Sequence, residues 1–206
     1  MKSTLPPKKS APDPASIHHR LNVKAFAQNK QMPAILRNEI LEALSYYPEL
    51  KETEIDFVLS ENIKRSVMLA QPKLSTLLRG AGQRGYVIKI SRYFKVPGER
   101  TKIETLPADI LVGWLGHELG HIMDYLHRST WGLARFGVGY LVSRKYFRKA
   151  ERVADTYAIQ HGLGNKIVAT KNYILDHAQL PARYKAKIRR LYLSPEEIME
   201  LIDAAD

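Results

Sequence analysis

The chain has 206 residues, 45% hydrophobic and 26% charged, an ordinary globular composition. At this length folding buries roughly 70% of the surface of the unfolded chain, enough for a core without staples. There is no cysteine, which excludes disulfides, zinc ribbons, iron–sulfur clusters and thiol nucleophiles, and leaves His, Asp and Glu as the strong metal ligands. Lys and Arg number 32 against 21 Asp and Glu, a net charge of +11 that attracts polyanions or anionic lipid without naming a partner. The bases are scattered. No zinc finger, RNP-type aromatic signature or glycine-rich phosphate loop accompanies them, so they are read as a solvated basic surface.

Residues 1–16 hold Pro6, Pro7, Pro12 and Pro14 with Lys8 and Lys9, and are expected to form a disordered basic tail before one domain over residues 17–206. No apolar run has signal-peptide or bilayer-spanning length, so a cytoplasmic location is expected. Residues 34–47 place Ile35, Leu36, Ile40, Leu41 and Leu44 on one stripe at helical period, ending before Pro48. Residues 55–59, 66–70 and 86–93 read as short strands, the last alternating Ile88 and Ile90 with Val87 and Lys89. Gly80, Gly82 and Gly85 read as a turn before it.

From Pro107 the pattern is helical, with Ile110, Leu111, Trp114, Leu115, Ile122, Met123 and Leu126 recurring every three or four residues. Trp131, Leu133, Phe136, Val138, Tyr140 and Leu141 then mix with Arg135. This stretch is read as ordinary helix packing, with peripheral membrane contact as its alternative use. Further helices are expected over residues 146–161, 166–177, 182–192 and 195–204, broken at Gly162, Gly164, Pro181 and Pro195. The order helix, small sheet, helices indicates an α+β fold.

His117-Glu118-Leu119-Gly120-His121 lies in the most apolar of these helices and is the HExxH pattern of zinc hydrolases. Residues four apart on a helix differ by about 40° in azimuth and about 6 Å in rise, so both imidazoles reach one ion. Glu118 points to a neighbouring direction, suited to accept a proton from the attacking water and pass it to a leaving amine. Two buried histidines and a glutamate without an ion would each need partners.

A hydrolytic zinc site needs a third protein ligand. His127 stands six residues after His121, but Asp124 occupies the place where the elongated motif turns on glycine. A continuing helix carries His127 about 9 Å along the axis and onto another face, where it reads as a helix C-terminal surface residue. The second candidate is Glu151, in Ala150-Glu151-Arg152-Val153-Ala154-Asp155, on a face with Phe147, Ala154 and Ala158. Asp155, one turn later, is placed to accept the free ring N–H of a liganding histidine, expected to be His117. Glu151 in a surface pair with Lys149 or Arg152 is the competing reading.

HExxH followed after one helix by Glu151-x-x-Ala154-Asp155 resembles the gluzincin metallopeptidases, M48-type peptidases and their minimal relatives the minigluzincins among them, over about residues 50–163. The resemblance implies a zincin-like fold with a small, mostly antiparallel sheet, an active-site helix and a glutamate helix. It implies Zn2+ held by His117, His121 and Glu151, with Glu118 as general base and Asp155 behind the ligands. It also implies that the last strand before the active-site helix, here from Tyr86 to Tyr93, receives an extended peptide substrate along its edge.

The chain departs from that family in two ways. It has none of the spanning helices of membrane-bound members, and Leu180-Pro181 stands where many carry a His-Pro pair. The oxyanion-stabilising residue is therefore left open among Tyr157, His161, His177, Arg183 and Tyr184. The acidic residues Glu196, Glu197, Glu200, Asp203 and Asp206 are read as a terminal helix packed through Ile198, Leu201 and Ile202, the alternative being a segment that docks over the cleft and holds the enzyme latent.

The function expected is zinc-dependent peptide-bond hydrolysis. Its rivals are a non-catalytic peptide- or polyanion-binding protein on a zincin fold, and a DNA-associated zinc protease, for which no nucleic-acid module is present.

Overall fold

The computed structural model describes residues 23–63, 66–96, 99–176 and 180–203. The expected tail, residues 1–16, lies outside them, as does His177.

Alternating burial builds a four-stranded sheet from β1 (Lys30–Gln31), β2 (Ile55–Ser60), β3 (Met68–Pro72) and β4 (Tyr86–Ser91). Ile55 and Phe57, Met68 and Ala70, and Tyr86, Ile88 and Ile90 are its buried members, while Val58 and Lys89 are exposed. The spatial order is β1-β2-β4-β3. β1 and β4 each pair parallel with β2, and only β3 is antiparallel, through Met68↔Ile90, Ala70↔Ile88 and Pro72↔Tyr86. The main sheet is thus mostly parallel, correcting the antiparallel expectation. The reason is that residues 32–54, containing helix α1 (Arg37–Ser45), carry the chain from β1 back to the same end of the sheet. The antiparallel remainder is a separate hairpin of β5 (Tyr93–Val96) and β6 (Glu99–Lys102).

The second correction concerns the substrate strand. β4 is hydrogen-bonded on both sides, by β2 and by β3, so Tyr86–Ser91 has no open edge to offer, and Tyr93 belongs to β5 of the separate hairpin. The edge on that side of the sheet is β3.

Helix α2 (Ala108–Leu126) is the axis of the molecule, buried from Ile110 to Met123 and apolar except where His117, Glu118 and His121 stand. β3 and α1 pack against it, as do α4 (Arg144–Ala158) and α5 (Gly164–Asp176). Tyr47, fully buried, donates its hydroxyl to the Gly116 carbonyl at 2.7 Å and ties the residue before His117 to the end of α1.

Ser129 and Ser143 start α3 (Thr130–Val142) and α4 by accepting from Gly132 N and Tyr146 N. Gly162, at φ 80°, makes the left-handed break between α4 and α5. α6 (Ala182–Leu191) follows. α7 (Pro195–Asp203) begins with a reciprocal capping box between Ser194 and Glu197, buries Ile198, and is tied to α4 by Arg152–Glu197 at 2.7 Å. Packed on α5 through Ile198 and Ile202, it does not line the cleft, whereas Leu201, expected in the same contact, is exposed.

The packing reading of α3 holds on one side only: Leu133 and Phe136 are in the core, whereas Trp131, Val138 and Val142 are exposed. The fold is α+β, and no described helix is long and apolar enough to cross a membrane.

Candidate metal centre

The four-residue spacing puts His117 and His121 on one side of α2, with ring centroids 4.8 Å apart and ring planes nearly perpendicular. α4 crosses α2 where both are small: a side chain on Gly120 would collide with the Ala154 carbonyl, so only glycine allows this approach. The approach delivers Glu151. Its Oε2 lies 3.2 Å from His117 Nε2 and its Oε1 3.7 Å from His121 Nε2. One ligand atom from each of these buried residues falls within 4.8 Å of the others, so the group can hold a metal ion. His127, which caps α2 and stacks on Tyr157 6.4 Å away, is exposed and outside the group.

A fully buried Asp155 fixes the ring of His117, its Oδ1 standing 2.8 Å from Nδ1. That contact turns Nε2 toward Glu151. Asp155 Oδ2 accepts from Lys171 Nζ at 2.6 Å and from the Leu193 backbone N–H at 3.2 Å. The Lys171 ammonium also sits 4.3 Å from the centre of the Tyr192 ring. Although burial opposes it, Lys171 and His117 hold the Asp155 carboxyl below its usual range.

For His117 burial alone would favour the neutral ring, but the Asp155 and Glu151 carboxylates outweigh it and push the imidazole up to about 10. Glu151, despite burial, is held well below the carboxylate range by the two histidines. His117 thus has a carboxylate oxygen against each ring nitrogen, Asp155 at Nδ1 and Glu151 at Nε2. His121 Nδ1 is buried without a hydrogen-bond partner among the described residues.

Glu118 faces β3. Its buried carboxylate accepts from the Ala70 backbone N–H at 2.7 Å through Oε2, and burial pushes its pKa up.

Sequence reasoning missed three participants. Tyr140, on the inner face of α3, donates to Glu151 Oε1 at 2.7 Å. Lys171 completes the Asp155 network from α5. Tyr192, just after α6, is half-buried with its ring 5.6 Å from that of His117. Only an aromatic at a core-facing helix position signalled Tyr140, and nothing signalled Lys171.

Of the residues considered for oxyanion stabilisation, Arg183 and Tyr184 line the cleft. Tyr157 and His161 do not: His161 stacks on Tyr47, with its Nδ1 2.7 Å from the Tyr157 carbonyl.

No known protein family matches the chain, and neither does any curated protein or solved structure.

Proposed function

We propose that the protein is a zinc-dependent peptidase of gluzincin type, with His117, His121 and Glu151 as ligands, Asp155 orienting His117, and Glu118 as general base. The observation that carries this reading is the convergence of those three buried ligand atoms beside a glutamate that adjoins His117 on the same helix. Two imidazoles and one carboxylate are the ligand set of a catalytic zinc site with a position to spare. Zinc in that set supplies Lewis-acid polarisation of a carbonyl and acidifies water.

The chain's own groups do the rest. Anchored on Ala70 N–H, Glu118 accepts a proton from the attacking water and returns it to the leaving amine, a task suited to a carboxyl whose pKa burial has raised above the ordinary carboxylate value. Tyr140 steadies Glu151 through Oε1. The cleft runs along β3. Ser91 N bonds the Val67 carbonyl and Lys73 N bonds the Gly85 carbonyl, so by antiparallel alternation the polar groups of Met68 and Ala70 point away from β4; those of Ala70 are taken by Glu118 and by the Tyr125 hydroxyl, which leaves those of Met68 for a substrate strand. An extended peptide substrate adds to that edge, in place of the strand anticipated from sequence.

Elemental analysis of the purified protein is expected to give about one zinc per chain. Glu151→Ala should lose it and His127→Ala should keep it. Glu118→Gln should keep the metal and lower peptide hydrolysis about 100-fold or more. Full activity in Glu118→Gln, on peptides the parent cleaves, would overturn the mechanism, and loss of metal in His127→Ala would overturn the ligand set.

A further inference from the structure

Helix α3 has two apolar faces. At 100° per residue, Leu133, Phe136 and Tyr140 share the inward side, where Phe136 packs among Tyr125, Tyr140 and Tyr146. Trp131, Arg135, Val138 and Val142 fall within about 60° of one another on the opposite side. Trp131 is 86% exposed, Val138 62% and Val142 78%. The outward face of a solvated surface helix is normally polar. Here its only charge is Arg135, and none of the 13 residues of α3 is acidic.

A second element extends the patch. In the loop after β3, Leu74 is 86% and Leu78 92% exposed. The loop is fastened to the start of α3: Thr130 Oγ1 donates to the Leu77 carbonyl at 3.2 Å, and Arg84 donates to the Arg128 carbonyl at 2.7 Å and to Thr130 Oγ1 at 3.0 Å. Leu78 and Trp131 are each one residue from the Leu77–Thr130 bond, so loop and helix present one surface. Leu74 and Val142 also line the mouth of the cleft.

The charge around this surface has one sign. From residue 127 to residue 150 there is no Asp or Glu, while Arg135, Arg144, Lys145, Arg148 and Lys149 are exposed. Residues 74–84 also lack acids and expose Arg79 next to Leu78. Glu54 and Asp56, on the neighbouring part of the sheet, both pair with Lys73, at 2.7 and 2.6 Å.

We propose that the outward face of α3, together with the Leu74–Leu78 loop, docks the protein on an anionic lipid bilayer surface, Trp131 and Leu78 entering the interfacial layer and the flanking arginines and lysines meeting lipid phosphates. Tryptophan among aliphatic side chains, ringed by bases, matches the chemistry of the headgroup boundary. The net charge of +11 draws the whole chain to such a surface. A second copy would set the same basic rim against itself, and like charges repel. The attachment is peripheral, since no described helix spans a membrane, and it does not depend on the metal centre.

The test uses the full chain with vesicles of phosphatidylcholine, with and without phosphatidylserine. Binding by co-sedimentation is expected with phosphatidylserine, weaker by about tenfold or more without it and weaker again at high salt. Trp114 is buried, so a blue shift of tryptophan emission on binding, and quenching by brominated lipid, report Trp131 and should survive Trp114→Phe. Trp131→Ser combined with Leu78→Ser removes exposed groups only, so circular dichroism should be unchanged while vesicle affinity falls about tenfold or more. Absence of binding to anionic vesicles overturns the proposal. So does undiminished binding by the double variant, and so does binding of the parent without lipid quenching of Trp131, each of which is attraction by charge alone. Concentration-dependent dimers abolished by the same substitutions overturn it in favour of a self-interface.

Discussion

Asp155 holds three groups at once, and none of them can leave without consequence. Its oxygens meet His117 Nδ1, Lys171 Nζ and the Leu193 N–H in a place with no exposure to water. Removing one partner of a buried ion pair strands the other charge, which costs about 3–5 kcal/mol. Lys171→Met is therefore expected to lower unfolding free energy by that amount in urea titrations. Adding Asp155→Asn removes the stranded carboxylate and should restore most of the stability. Zinc affinity in the double variant should stay about 10- to 100-fold below the parent, because the ring of His117 has lost its charged acceptor. A single variant as stable as the parent would show that the pair contributes nothing. At this scale the sequence was legible where the chemistry is local: five residues on two helices at fixed spacing announce themselves. Lys171 lies sixteen residues beyond Asp155 on another helix, and a lysine in a mixed helix looks like any solvated one. Tyr140 was hidden in the same way, its hydroxyl role visible only once α3 was seen to cross the mouth of the site.

Helices and strands were legible through their periods, and their neighbours were not. Alternation in Tyr86–Ser91 identifies a strand and its buried face, but the same pattern suits an edge or a centre, and parallel or antiparallel partners. The hairpin of β5 and β6 escaped notice because only Arg92 separates β5 from β4, and Glu99–Lys102 is almost wholly polar. The element contact on which the site most depends is the crossing of α2 and α4 at Gly120. Gly120→Ala would push a methyl group into the Ala154 carbonyl and drive α4 outward, taking Glu151 and Asp155 with it. The expected loss is about 1–3 kcal/mol of stability, read by denaturant unfolding, with metal content falling in parallel. Gly137→Ala is the control. Nothing stands within 4 Å of the added carbon, so that helix should gain up to about 1 kcal/mol. Equal effects from the two substitutions would mean that the close crossing is not what seats the glutamate.

For the whole molecule, the proposed centre would work as a clasp. α2 would supply two ligands and α4 the third, while Asp155 extends the connection to α5 through Lys171 and to the segment before α7 through Leu193. Binding to the folded chain alone stabilises it by about 2.7 kcal/mol when free metal is a hundredfold above Kd. For a chain of this size that is a melting shift of roughly 5–10 °C, which chelation should abolish and added zinc restore. The pH dependence of that shift follows from His117. In the metal-free protein its imidazole is raised to about 10 by Asp155 and Glu151 against burial, so the proton it carries stabilises the fold fully below the ordinary histidine range. That contribution is lost as pH rises through about 10. Zinc bound as proposed would displace this proton, so competition would weaken as pH rises, and the gap between zinc-loaded and chelated melting temperatures should widen from pH 6 to pH 9. Paired thermal scans across that interval measure it directly. Glu118→Gln should retain the widening gap and Glu151→Ala should show none, whereas a gap that narrows with pH would place the ion elsewhere than between these helices.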